Sequence, residues 1–429
     1  MSAKQNREPI EQGLGRQTSR DAVGAAGAQP ERVHLRVAWL CGAVLLLEGY
    51  DIAAAGYAIP SLADVWSVHP SVFTPVLAFG NFGLLLGSLG VGLLGDRLGR
   101  RPVLIGCVTA FGVFSLLSAF VHSPLELTCP RFLTGLGLGG GVPLAVALAS
   151  DVAPPMAQGR LVTLVSIGVP IGFTLGGFLA SQLVRLFGWQ AIFVTGGMVP
   201  LGMVLLLAFA LPESSVAQGT TERHNLVAAL FQDGLAPVTV LLWVINFLSL
   251  LGIFFILQWT PAILHSAGLS PARAILGTTM YALGVIVSPL LASSIVDRMG
   301  IERVLACGLF FGALCVLSIG LLNPQFWLLS IILCGAGFGG GCQNGINSLS
   351  ALAYPSAIRS TGAGWALGAG RGGTVIGPLV GGALLALGFR AQQVFLAAAI
   401  PAFGATLLMA ILGRLRRGDR VAPSRMKAS

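Results

Sequence analysis

Twelve apolar stretches of about 20 residues follow one another along this chain, with short polar connections between most of them. That length is what an α-helix needs to cross the hydrocarbon core of a bilayer. Inside lipid a backbone must satisfy its own hydrogen bonds, which leaves helices and closed barrels as the spanning structures. The runs fall near 37–59, 72–94, 103–121, 125–150, 161–182 and 190–211, then near 238–257, 272–293, 304–322, 327–352, 361–384 and 392–413. The pattern predicts an all-α membrane protein with twelve transmembrane helices in two bundles of six, over 37–211 and 238–413. A polar linker over 212–237 joins them, and polar tails cover 1–36 and 414–429.

Composition excludes a water-soluble domain. Of 429 residues, 55% are hydrophobic and 10% charged, against about 25% charged in soluble proteins. The net charge of +9 invites a nucleic-acid reading, but the basic residues sit in short segments between apolar runs. No nucleic-acid partner is implied; the partner is a lipid bilayer. The seven cysteines are scattered through the runs without a CxxC pair, which suits apolar packing rather than metal or disulfides. The first 36 residues lack the apolar core of a cleavable signal peptide and have the composition of a disordered tail. Twenty of the 25 basic residues fall in the two tails and in the connections on the same side as the tails. Cytoplasmic loops carry such an excess, so both termini are expected in the cytoplasm.

The two halves echo each other. Asp96-Arg97 after the second run returns as Asp297-Arg298 after the eighth, 201 residues on, and Gly176-Gly177 in the fifth returns as Gly381-Gly382 in the eleventh. Duplicated halves imply a pseudo-two-fold axis along the membrane normal with a cavity between them. The string Gly92-Leu93-Leu94-Gly95-Asp96-Arg97-Leu98-Gly99-Arg100-Arg101-Pro102 suits a gate: its glycines admit close helix approach, and its charges can form pairs that break. The plainer reading is a turn carrying positive-inside arginines, which leaves the echo at Asp297-Arg298 unexplained. Gly135-Leu136-Gly137-Leu138-Gly139-Gly140 contains GxGxxG, but without a strand and a βαβ unit it is not a dinucleotide site. Glycines so spaced pack membrane helices backbone to backbone.

The intramembrane charges are the functional candidates. Glu48 and Asp51, one turn apart in the first run, are costly in lipid and characteristic of proton or ion paths. The competing reading is a static ion pair with an arginine; Asp51 is the stronger candidate for proton coupling. Arg371, near mid-membrane, suits bidentate capture of a carboxylate, from a substrate or from the protein. Arg131 either meets a carboxylate or the cavity, or snorkels to the interface. Asn81, Asn246, Gln343, Asn344 and Asn347 suit hydrogen bonds to a neighbouring helix or a ligand equally, with Gln343 and Asn347 the pair best placed for the cavity. Trp259 and Trp365 suit either stacking on an aromatic ligand or interface anchoring.

With these residues in view, the sequence resembles the aromatic acid:proton symporter family of the major facilitator superfamily, from about Val33 to Arg417. The likeness rests on the loop 92–102 and on Arg131-Phe132-Leu133-Thr134-Gly135-Leu136-Gly137-Leu138-Gly139, Leu211-Pro212-Glu213-Ser214 and Arg359-Ser360-Thr361-Gly362-Ala363-Gly364-Trp365-Ala366-Leu367-Gly368-Ala369-Gly370-Arg371. The family's first-helix D-G-x-D stands here as Glu48-Gly49-Tyr50-Asp51, and Asp151 stands where the family carries an acid after its fourth helix. The resemblance implies import of an aromatic carboxylate with protons through the bacterial inner membrane, by a monomer without cofactor or metal. Proton coupling then falls to Asp51 and Glu48, and substrate binding to Arg371, Arg131, Gln343, Asn347 and Trp365. Gating falls to Gly92, Asp96, Arg97, Gly99, Arg100, Arg101, Asp151, Asp297 and Arg298. The alternatives are a proton antiporter exporting drugs or metabolites and a membrane sensor that binds without transport. No constellation of hydrolytic, metal or phosphate-binding residues points to an enzyme.

Overall fold

The computed structural model describes residues 8–154, 158–211, 226–232, 234–322, 325–355 and 358–426; the side chains of 8–33, 92, 93, 96, 160, 226 and 417–426 lie outside the description. The long helices are α1 Glu8–Trp66, α2 Thr74–Leu98, α3 Arg100–Leu117, α4 Pro124–Val152, α5 in two pieces (Gln158–Ser166 and Gly168–Phe187) and α6 Gln190–Ala210. The second set is α7 Ala236–Ser266, α8 Pro271–Met299, α9 Ile301–Leu322, α10 Phe326–Leu352, α11 Arg359–Ala386 and α12 Ala391–Met426. No strand occurs among the described residues.

Eleven of these helices, among the described residues, are long and apolar enough to cross a membrane. The twelfth expected span, α11, is 28 residues long and therefore long enough. Its glycines, Arg359 and Arg371 lower its hydropathy, and it packs against α7 and α2 while Ile376, Leu379 and Val380 remain exposed. The first helix reaches back to Glu8, where the sequence suggested a disordered tail. Ala, Gln, Glu and Arg are good helix formers, and extending a helix already nucleated costs little. The break in α5 sits just before Pro170, which has no N–H for the carbonyl of Ser166.

Each packing within the first half has a counterpart six helices later. There α2 packs on α4, α1 on α5, and α3 on α4 and α6; here α8 packs on α10, α7 on α11, and α9 on α10 and α12. Between the halves α5 meets α8, α2 meets α11, and α1 meets α7. The symmetry reaches the backbone torsions. Gly99 and Gly300, between the second and third helix of each half, hold φ 92°, ψ 143° and φ 82°, ψ 146°, a region open chiefly to glycine.

Lipid tails are as apolar as leucine, so close packing and interhelical hydrogen bonds hold such a bundle together. The glycine-rich stretch of α4 illustrates the first. A Cβ on Gly135 would stand 2.0 Å from the Gly80 carbonyl oxygen of α2, and one on Gly137 2.8 Å from the Phe111 nitrogen of α3. The GxGxxG pattern is thus a helix-packing surface.

Candidate functional site

One end of the bundle carries Gly99 and Gly300 and is called here the basic end; the opposite end carries the connections around 67–73 and 267–270. The halves close on each other toward that opposite end. His265 Nε2 of α7 lies 2.9 Å from Asp64 Oδ1 of α1. Asn81 Nδ2 of α2 donates to Gln258 Oε1 of α7 and to the Thr374 carbonyl of α11, both at 2.9 Å, and Gln258 Nε2 returns a bond to Asn81 Oδ1 at 3.3 Å. Asn81 and Gln258 are both buried. The glycine pairs sit at the same closure: a Cβ on Gly177 would stand 2.1 Å from Thr279 Oγ1, and one on Gly382 1.9 Å from Thr74 Oγ1. Toward the basic end a cavity of about 680 Å³ opens between Leu89 of α2 and Trp243, Ser360, Thr361, Gly364, Trp365, Gly368 and Ala369 of the second half.

The two acids of α1 have different surroundings. Asp51 is fully buried within the first half. Arg131 of α4 donates through Nη1 to Asp51 Oδ2 at 3.2 Å and Oδ1 at 3.4 Å, and through Nη2 to the Asp51 carbonyl at 2.9 Å. Ser115 of α3 donates to Oδ1 at 2.5 Å. The guanidinium of Arg131 also lies 5.6 Å from the Phe193 ring centre of α6, a cation–π contact. Arg131 is buried on its carboxylate and does not snorkel.

Glu48 is also buried, but its Oε2 has no hydrogen-bond partner among the described residues. It lies against Gly141 of α4, where a Cβ would stand 2.3 Å from Oε2. Arg371 of α11, in the other half, is half-buried and forms no ion pair among the described residues.

A cluster of amides joins α7 and α10. Gln343 Nε2 of α10 donates to Asn246 Oδ1 of α7 and to Asn347 Oδ1, each at 2.9 Å. The Cβ of Asn246 is 3.1 Å from where a Cβ on Gly370 would stand. Trp365 is 47% exposed on the cavity wall and stacks on Trp243 at 5.7 Å and 17°. Trp259 is fully buried and donates Nε1 to the Pro378 carbonyl at 2.9 Å. It ties α7 to α11. Asn344 is exposed.

At the basic end Arg100 pairs with Asp151, joining α3 to the end of α4, and Arg101 Nη2 donates to the Ala208 carbonyl of α6 at 2.6 Å. Arg97 is exposed, and Gly99 makes the turn between α2 and α3. The side chains expected at Gly92 and Asp96 lie outside the described residues. Asp297 and Arg298 are exposed and form no ion pair among the described residues. The charge pair of that corner is instead Arg416 with Glu302, at 2.9 Å. Glu302 opens α9 and Arg416 lies late in α12, so this pair, rather than Asp297-Arg298, ties those helices.

The family profile of the Major Facilitator Superfamily matches residues 41–275 and 242–428. The chain belongs to this superfamily. Its superfamily relatives include a gallate transporter of Pseudomonas putida, 33% identical over 409 residues that cover 88% of this chain and 91% of that protein. Another is the 4-hydroxybenzoate transporter PcaK of Pseudomonas aeruginosa, 32% identical over 93% of this chain and 97% of that protein. A crystal structure of a D-xylose-proton symporter superposes with a TM-score of 0.70 at 20% identity, covering 87% of this chain and 97% of that one, and it shares the superfamily fold. The chain is a multi-pass membrane protein whose relatives are transporters of aromatic acids.

Several residues of this superfamily member were not singled out from its sequence. Gln258 stands alone among apolar neighbours in Phe255-Ile256-Leu257-Gln258-Trp259, and a lone amide in a membrane run is a signal of interhelical bonding. Ser115, which completes the Asp51 site, gives no such signal, because serine is common in membrane helices. Trp243 is one of several tryptophans, and only the fold puts it under Trp365.

Proposed function

We propose that this chain is a secondary transporter that imports an aromatic carboxylate together with protons by alternating access. It resides in a bacterial inner membrane with both termini cytoplasmic and works as a monomer. A buried Glu48 whose Oε2 has no hydrogen-bond partner among the described residues is the observation that carries the reading, with Arg371 the half-buried cation of the opposite half. The guanidinium captures the substrate carboxylate in a planar, two-bond geometry. Capture of that carboxylate weakens the hold of Arg371 on Glu48, and Glu48 takes up a proton in response. The halves then exchange which end is closed.

The geometry favours Glu48 over Asp51 as the proton carrier, because Asp51 is already neutralised by Arg131 and hydrogen-bonded by Ser115. In this reading Asp51 and Arg131 hold α1 on α4. Trp365, Gln343 and Asn347 contribute to the ring's surroundings, and the Arg100–Asp151 pair belongs to the cytoplasmic gate. The cavity at the basic end then opens to the cytoplasm, and the closure through Asn81 and Gln258 faces outward.

The test is uptake of labelled gallate, 4-hydroxybenzoate and benzoate into cells and proteoliposomes. Accumulation driven by an acidic exterior and collapsed by a protonophore is expected. Export into the medium would assign an antiporter, and binding without flux would assign a sensor.

A further inference from the structure

His265 cannot make the contacts it makes without an extra proton. It stands in the last turn of α7, and both of its ring nitrogens meet oxygen. Nδ1 lies 2.8 Å from the Leu269 carbonyl, and Nε2 lies 2.9 Å from Asp64 Oδ1 of α1. A main-chain carbonyl only accepts, so Nδ1 carries a hydrogen. A neutral imidazole has one N–H; with that hydrogen on Nδ1, a bare Nε2 would face an ionised carboxylate, lone pair against lone pair. The contact between Nε2 and Oδ1 therefore holds one further proton. The C-terminal end of α7 favours a cation, which places that proton on the ring.

This contact joins the halves. Among the described residues, Arg131–Asp51 and Arg100–Asp151 lie inside the first half and Arg416–Glu302 inside the second, whereas His265–Asp64 ties α7 to α1. Opening that end must part them. The two side chains are 21% and 59% exposed, so protons reach them from the water at that end while the halves are closed. The elements packed on α7 bring few other charges there. Arg273 opens α8, Arg390 precedes α12 and His69 follows α1, all three exposed. Helix α10 has no charged residue, and Arg359 and Arg371 of α11 lie in the half of that helix nearer the basic end. Of the charged groups, Asp64 alone bonds to the ring among the described residues.

We propose that His265 and Asp64 form a proton-binding site that latches this end of the transporter shut, so that closing it takes up a proton. The proposal rests on the alternating-access reading above and adds a proton that is not carried across: it enters and leaves at the end that it closes. The sign follows from the bond. In acid the ring is charged and the latch holds; as pH rises through the range in which histidine gives up its charge, the bond and its bias toward closure are lost. In the orientation proposed above, an acidic exterior thus favours the state open to the cytoplasm, from which substrate leaves.

The experiment places spin labels at Val72 and Leu387, exposed positions of opposite halves at this end. The full-length chain is held in detergent, with the exposed Cys129 and Cys307 replaced by alanine, and inter-label distances are read from about pH 5 to about pH 8. The ratio of closed to open molecules should fall about threefold to fivefold over that range, as befits a partly exposed pair. His265→Gln, which keeps a neutral donor, and Asp64→Asn, which removes the anion, should each abolish most of that fall. Any pH dependence that Glu48 adds survives in both variants, so the latch is the part that they remove; either variant serves if the other does not fold. A native ratio that stays flat with pH while 4-hydroxybenzoate still shifts it would overturn the proposal, as would either variant keeping the native fall. Distances fixed at every pH, with and without 4-hydroxybenzoate, would instead bring down the alternating-access reading, and the latch with it.

Discussion

Arg131 grips Asp51 three times over, at both carboxylate oxygens and at its main-chain carbonyl, and so binds α4 to α1 in the interior of the first half. Removing one partner of a buried pair strands the other charge, at a cost of about 3 to 5 kcal/mol. Asp51→Asn should therefore lower the thermal stability of the purified protein markedly. The double variant Asp51→Asn with Arg131→Gln should recover much of the loss. Calorimetry or fluorescence-detected unfolding checks both; a single variant as stable as the native chain would show that the pair contributes little.

Glu48→Gln removes a charge whose Oε2 has no hydrogen bond to lose. Stability should fall far less than in Asp51→Asn, because no hydrogen bond is lost, while uphill accumulation driven by a pH difference disappears and substrate exchange at equal pH persists. Gly141→Ala reaches the same acid from the other side. Its methyl would stand 2.3 Å from Glu48 Oε2, so the carboxylate must move and coupled uptake should fall. Parallel counterflow and gradient-driven assays separate the two effects.

Gly382→Ala acts on the closure itself. The new Cβ would stand 1.9 Å from Thr74 Oγ1, whereas a Cβ on Gly364 of the same helix meets nothing within 4 Å. The first substitution should hold α11 off α2 and shift the population toward the state open at that end; Gly364→Ala should not. Spin labels at the exposed positions Val72 and Leu387 report the difference as a longer inter-label distance.

The Asn81–Gln258 amide pair spans the halves in the closed state. Asn81→Ala strands the buried Gln258 amide, Gln258→Ala leaves Asn81 only its bond to the Thr374 carbonyl, and the double variant removes both amides. The pair should therefore show a coupling energy of about 0.5 to 3 kcal/mol in a double-mutant cycle, read from the closed-state population with the same labels. Additive effects would mean that the bonds do not hold the closure.

Much of the fold was legible in the chain. Length and apolarity marked twelve spans, eleven of them apolar enough by the described helices, the duplicated glycines and the Asp-Arg pairs marked the repeat, and the torsions of Gly99 and Gly300 bear that repeat out. The span around Arg371 is the least apolar of the twelve, and it packs closely on α7 and α2. The candidate site was legible as a set of residue types but not as partnerships. Trp259 offered the same signal as Trp365, yet one bonds to Pro378 and the other lines a cavity.

The sequence by itself determined that this chain spans a membrane twelve times in two related halves with charges in their interior, because period, length and charge are local properties. Only the tertiary structure decided that Asp51 is neutralised by Arg131 while Glu48 is buried with its Oε2 unpartnered. The two acids lie one turn apart on one helix. A rotation of part of a turn sends one onto Arg131 and the other against Gly141, where no donor meets its Oε2, and glycines let α4 and α5 approach α1 closely enough for this.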